Sequence, residues 1–175
     1  LEAMEARRWE YMSHGYFNTR YHWGYEEQEE REVIEHSKAT HLRLTGRKLR
    51  GWFSPAVSNT LNTPDLVKEA GLEYICDFYH DDQPTPLATK HGPLIHVPYT
   101  MDLNDALIYR QPVEAEEFAQ MIIDHFDTVY REGPENGRVM CIALHPYMMG
   151  APHRLKHLDR ALAYIERARS AQAER

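Results

Sequence analysis

Arg138–Tyr147 reads RVMCIALHPY, and the reading of this stretch decides the fold. Val139, Met140, Cys141, Ile142, Ala143 and Leu144 form a continuous apolar run opened by Gly137 and Arg138. A run too short for a helix and without polar alternation predicts a parallel strand covered on both faces. His145 and Pro146 stand where that strand runs out. Ligands gather at the carboxyl ends of strands in open α/β sheets and closed α/β barrels, which makes His145 a functional candidate. Spacing alone is equally compatible with a satisfied core histidine.

Outward from this strand the chain alternates. An opening LEAMEARRWE is helix-like, and Trp9 to Ser13 is short, aromatic and strand-like, stopping at His14 and Gly15. A polar stretch from Glu26 to Thr45 carries Val33, Ile34, Leu42 and Leu44 and meets a helix stop at Gly46. Its acidic run, Glu26 to Glu32, reads as a solvated helix face. Leu49 to Phe53 is the next strand, ending at Ser54 and Pro55. Thr63, Pro64 and Asp65 supply an N-cap, a proline for the first helical position and a first-turn acid, and Gly71 closes that helix. Tyr74 to Cys76 is a strand ending in Asp77, followed to Pro93 by a long, proline-bearing loop of the kind that is often functional. Leu94 to Tyr99 is another strand. From Pro112 to Arg131, Val113, Phe118, Met121, Ile122, Phe126 and Val129 recur at helical spacing until Gly133 and Pro134, which should stop the helix. After the central strand, His153 to Arg169 places Leu155, Leu158, Leu162 and Ile165 on one face.

Strands alternating with helices predict an α/β chain with a largely parallel sheet. Right-handed crossovers would bring the strand ends to one rim, with His14, Arg50 through Trp52, Asp77 through Asp82, Tyr99 and His145 upon it. With 175 residues, 42% of them hydrophobic and 27% charged, one globular domain over 1–175 is expected. A formal net charge of -7 and scattered basic residues argue against nucleic acid or an anionic membrane as partner. Cys76 and Cys141 lie inside apolar runs, with no CxxC pair, and read as buried reduced thiols. No segment approaches the roughly 18 apolar residues of a membrane span, so a cytoplasmic setting is expected. The start at Leu1 and the polar SAQAER end give the chain the look of an excerpt from a longer domain.

His, Asp and Arg on one rim are the parts for hydrolysis at a carbonyl: a base or metal for water, an acid for the leaving nitrogen, a cation for developing charge. Asp77, Asp81 and Asp82 concentrate carboxylates near one strand end, with Arg50 as the rim cation; the bland alternative is a solvated acidic loop. Trp52, Asp82 and Tyr99 are the substrate-binding candidates, although Trp52 also reads as packing. His14 and His22 would stand about two helical turns apart, too far for one ion unless the chain bends.

Taken together, the ordered blocks SHGYFN, RGWFSP, ICDFYHDDQP, VPYTMDLND and IALHPY resemble the polysaccharide deacetylase superfamily (NodB homology), and most its allantoinase-like branch, over nearly the whole chain. The resemblance implies part of a distorted (β/α) barrel that hydrolyses non-peptide carbon-nitrogen bonds, with a tie to carbohydrate metabolism. The family's first block, a strand ending in an Asp pair that supplies the base and a metal ligand, is not in this sequence. His14 matches the first histidine of the family's metal pair, while Asn18 stands in place of the second; zinc or another divalent metal is the cofactor so implied. Arg50 matches the arginine that orients catalytic carboxylates, Asp77 the acid of the fourth block, and His145 the general acid of the last. A small-molecule amide or N-acetylated substrate follows, as does a homo-oligomer or a partner chain that completes the barrel. The missing Asp block and Asn18 equally suit a non-catalytic subunit.

Overall fold

The computed structural model describes residues 2–111 and 113–173. Leu1, Pro112, Glu174 and Arg175, and with Pro112 the expected start of the long helix, lie outside the described residues. The chain divides into two compact units, Leu1–Phe78 with Pro84–Val97, and Tyr79–Gln83 with Pro98–Arg175.

The first unit holds the sheet. After a short α1 (Glu2–Ala6), α2 spans Glu27–Thr45. Its N-terminus is a capping box, with Glu26 and Glu29 each bonding the other's backbone N–H, and it ends at Gly46 in the left-handed region (φ 69°). Next come β1 (Gly51–Trp52), a 3₁₀ turn (Pro55–Val57), α3 (Thr63–Glu69), β2 (Tyr74–Ile75), β3 (Thr85–Leu87) and β4 (Leu94–His96). The sheet order is β1-β2-β4-β3, parallel except that β3 runs antiparallel to β4 at the edge. The largely parallel α/β architecture read from the alternation is thus observed. The loop expected from Asp77 to Pro93 differs: it contains β3, whose Pro86 is tolerated because an edge strand needs donors on one side only. Trp9–Ser13 contributes one bridge, from Ser13 to Trp52, rather than a strand. Ile34, Leu49, Trp52, Leu66, Val67, Leu72, Ile75 and Leu94 form the core of this unit.

The second unit is helical, with α4 (Leu107–Arg110), α5 (Ala115–Asn136) and α6 (Pro152–Ala173). Ala115, Phe118, Ala119, Ile122 and Ile123 of α5 recur at helical spacing and pack with Leu158 and Ala161 of α6, Leu103 and Met149. α5 continues through Gly133 and Pro134 and stops at Gly137 (φ 62°), because a proline near a helix end costs only one late hydrogen bond. On α6 the buried positions are Leu158 and Ala161, while Leu155 and Leu162 are exposed. The expected face is therefore rotated, since a small alanine allows the close approach of α5. Arg138–Leu144 forms no strand: among the described residues its only bridge pairs Ala143 with Asn104 in parallel. Most of it is half-buried, so it is not the fully covered strand expected. Cys76 and Cys141 are both free thiols; Cys76 is buried as expected, whereas Cys141 is only half-buried.

Gly51 is required by a close approach. Its register partner on β2 is Tyr74, and a Cβ built on Gly51 would lie 2.1 Å from that ring. Gly51→Ala should therefore destabilise by about 1–3 kcal/mol through overpacking. Equilibrium urea unfolding of G51A, Y74A and the double variant should show G51A costing markedly less in the Y74A background; a purely additive result contradicts this packing.

Candidate active site

In the first unit the rim is built where β1 and β2 end. Residues 53 and 54 continue beyond β1, and the Ser54 N–H donates to Asp77 Oδ1 at 2.6 Å while the Ser54 hydroxyl donates to Oδ2 at 2.7 Å. Trp52 Nε1 donates to the Ser54 hydroxyl oxygen at 3.1 Å, so an indole in the core fixes the serine that fixes the acid. Asp77 is 2% exposed. Burial pushes its carboxyl up to about 6; the Ser54 bonds and the charge of His22 offset part of the rise, and Glu30 adds to it. His14 is exposed and lies stacked on Phe53, ring centroids 4.7 Å apart, with Nδ1 bonded to the Phe53 carbonyl at 3.1 Å. That carbonyl can only accept, so Nδ1 carries the proton.

Two expectations for this unit are corrected. Arg50 precedes β1 rather than following it, and its guanidinium binds Glu73 at 2.7 Å and Glu10 at 3.3 Å. It does not hold Asp77, because it stands at the opposite end of the strand; Ser54 has that task. Trp52 is fully buried, so it is core and not a substrate contact. Asp77 does lie just past the end of β2, whereas His14 follows the isolated bridge of Ser13 to Trp52 rather than a strand.

The second unit holds His145. Its Nδ1 lies 2.6 Å from Asp105 Oδ1. Asp105 is fully buried, and its Oδ2 accepts the backbone N–H groups of His145 at 2.8 Å and Met149 at 3.2 Å. A carboxylate so placed accepts the Nδ1 proton and turns Nε2 into the working nitrogen of a half-buried ring. Asp105 is positioned by the parallel bridge, through Asp105 N–H to Ala143 O at 3.1 Å and Ala143 N–H to Leu103 O at 2.8 Å. The sequence reading missed Asp105, although it closes the MDLND block; the signal was an acid just past a buried Leu103.

Tyr99 and Asp82 lie in the same unit as His145. The Tyr99 hydroxyl accepts Asn104 Nδ2 at 3.1 Å, and burial pushes it up to about 12. Asp82 pairs with Arg138, which also reaches Glu132 at 3.2 Å and Asp81 at 4.0 Å. The cation facing the Asp81 and Asp82 carboxylates is thus Arg138, not Arg50.

Among the described residues, no three or more His, Cys, Asp or Glu side chains gather as a metal ion requires. Asn18 offers no imidazole where the resemblance puts the second histidine, so the residues present do not fit the two-histidine centre that it implies. Among the described residues, also, no helix is long and apolar enough to cross a membrane.

No protein-family model and no curated protein matches the chain. Solved structures do. The chain is similar to the crystal structure of Puue allantoinase (34% identity, TM-score 0.83), with 96% of this chain and 55% of that chain covered. It is equally similar to a probable polysaccharide deacetylase from Pseudomonas aeruginosa PAO1 (34% identity, TM-score 0.82), covering 93% and 55%. A putative polysaccharide deacetylase from Mycobacterium smegmatis shares the fold at 20% identity and TM-score 0.79, covering 93% and 58%. The chain thus spans little more than half the length of these structures. These likenesses bear out the resemblance to the polysaccharide deacetylase superfamily and its allantoinase-like branch, and the barrel-type fold with it.

Asp77 gives a test of the rim that needs no substrate. Its folded-state value of about 6 lies above the ordinary 3.8, so folding takes up a proton between them. The resulting stabilisation is complete below the ordinary value and is lost as pH rises through the folded one, on the order of 3 kcal/mol. Asp77→Asn should remove this loss, so that urea unfolding shows the variant gaining on the parent protein from about pH 4 to about pH 7. A variant that keeps the parental pH slope contradicts the assignment.

Proposed function

We propose that this chain, which is similar in fold and sequence to solved structures of an allantoinase and a probable polysaccharide deacetylase, takes part in the hydrolysis of a non-peptide carbon-nitrogen bond, in a small cyclic amide or an N-acetyl group. The observation that carries the reading is the 2.6 Å contact between His145 Nδ1 and fully buried Asp105. When water adds to the carbonyl, the departing nitrogen must gain a proton before the bond breaks. His145, protonated on both nitrogens, would give up the Nε2 proton while Asp105 keeps the ring in place and stabilises the imidazolium. The water's own proton needs an acidic base of the kind the family's first block supplies. Asp77 is a buried acid whose charge changes near neutrality, and Tyr99 and Asp82 are the remaining candidates for substrate contact.

A second reading, a non-catalytic subunit of a deacetylase-like assembly, is favoured by specific observations. Arg50 is engaged by Glu73 and Glu10, and Asn18 stands where the family has a metal-binding histidine.

The two readings separate in one experiment. Proton NMR would follow ring opening of allantoin, the substrate implied by the name of the similar allantoinase, and acetate release from an N-acetylglucosamine oligomer. Turnover by the parent protein that falls about 10²–10⁴-fold in His145→Gln is expected for a general acid. Turnover unchanged in that variant removes His145 from the chemistry, and no turnover of either compound by the parent protein supports the non-catalytic reading.

A further inference from the structure

The first unit buries a second charged cluster to which the proposed hydrolysis gives no step. Glu30, in the first turns of α2, is fully buried, and His22 is 1% exposed. A carboxylate taken out of water costs several kcal/mol unless it is given donors. Glu30 receives them: the Thr60 hydroxyl donates to Oε2 at 2.6 Å, the Thr63 hydroxyl donates to Oε1, and His22 Nδ1 lies 3.7 Å from Oε1. Burial pushes the Glu30 carboxyl up, but the nearby His22 ring and the bonds from Thr60 and Thr63 outweigh it and hold the group below the ordinary glutamate range.

His22 ties this cluster to the rim. Its backbone N–H donates to the Ser58 hydroxyl oxygen at 2.8 Å. Its ring is stacked on Tyr25, centroids 5.3 Å apart, and tilted over Trp52 at 5.9 Å. Gly15 closes the remaining side: a Cβ there would lie 3.2 Å from His22 Nε2 and 2.6 Å from the Pro55 ring. What lies between Ser54 and Ser58 explains the need for such anchoring. Ala56 (φ 51°) and Val57 (φ 56°) are both in the left-handed region, where a residue with a Cβ costs about 1–3 kcal/mol and persists only if its surroundings over-determine it. The β-branched Val57 is the worse placed of the two. One end of the strained turn is held by the Ser54 bonds to Asp77, and the other by His22 on Ser58 and by Glu30 on Thr60 and Thr63.

We propose that His22 and Glu30 are positioning residues: as a buried pair they clamp the far end of the strained turn at Ala56 and Val57, and so set the geometry in which Ser54 holds Asp77. Whether Asp77 serves hydrolysis rests on the function proposed above, whereas the positioning is read without turnover.

Two NMR observables report on the clamp. The short bond from the Ser54 N–H to Asp77 should place that amide proton far downfield. The Val57 and Ser58 amides, bonded to Ser54 O and Pro55 O at 2.9 and 3.1 Å, should exchange slowly with solvent. Glu30→Ala should move the Ser54 resonance upfield and speed exchange at Val57 and Ser58 at least about tenfold beyond any change in global stability. Glu30→Gln, which keeps hydrogen-bonding groups for both threonines, should restore the two signals. Val67→Ala, an equally buried change in the same core but outside the network, should leave the Ser54 resonance in place. If Glu30→Ala fails to fold, Ser58→Ala, which removes only the acceptor of the His22 N–H, should shift the Ser54 resonance upfield in its place. An unmoved Ser54 resonance in Glu30→Ala and Ser58→Ala, or an equal shift in Val67→Ala, overturns the proposal. No substrate is used, so failure of the positioning and failure of the hydrolytic reading cannot be confused.

Discussion

A carboxylate removed from water must be surrounded by donors, and the local structure of both units follows from meeting that demand. Asp77 takes its donors from Ser54, Asp105 from His145 and Met149, and Glu30 from Thr60 and Thr63. In each case the donors lie on a segment distant in sequence, so satisfying the charge also fixes a turn. Very short strands, of two or three residues, would not hold such turns in place by ladder bonds alone. The buried acids supply the missing constraint and leave each associated side chain in one orientation. The cost is that losing any one partner strands a buried charge, which makes these acids sensitive positions for stability as well as for function.

The fold class was legible because its signals are local. The proline and acid in the first turn of α3, the left-handed glycine after α2 and the apolar period of α5 each depend on a few neighbouring residues, although the expected cap Thr63 lies inside α3, with Asn62 before it and no side-chain cap. What could not be read depends on contacts across the chain. β3 hides in a proline-bearing segment because only its pairing with β4 makes Pro86 acceptable. The run from Val139 to Leu144 has the composition of a covered strand, yet composition does not report how many neighbours it finds. On α6, a leucine stripe was the natural choice, and the small Ala161 that lets two helices approach carries no such hydrophobic signal.

The candidate site shows the same division. His145 and Asp77 were legible as polar residues ending apolar runs. Arg50 was not placed correctly, because a strand candidate does not reveal which of its ends an arginine occupies until register is known. Ser54 and Asp105 were passed over since an isolated serine or aspartate in a loop is ordinary; their meaning comes from the partner brought to them. Glu30 was lost within a run of acids that is otherwise solvated, including Glu27 and Glu29, and only the turn of α2 that faces Thr60 and Thr63 singles it out.

The proposed proton transfer depends most heavily on the buried partnership of His145 and Asp105, and the tautomer of His145 measures it directly. In a proton–nitrogen correlation spectrum of the parent protein, the 2.6 Å contact with Asp105 predicts an Nδ1 that carries a strongly downfield proton in both charge states of the ring. In Asp105→Asn that downfield proton should vanish and the tautomer should change. A neutral ring protonated only on Nε2 in the parent protein, or a spectrum indifferent to the loss of the Asp105 carboxylate, would contradict this partnership.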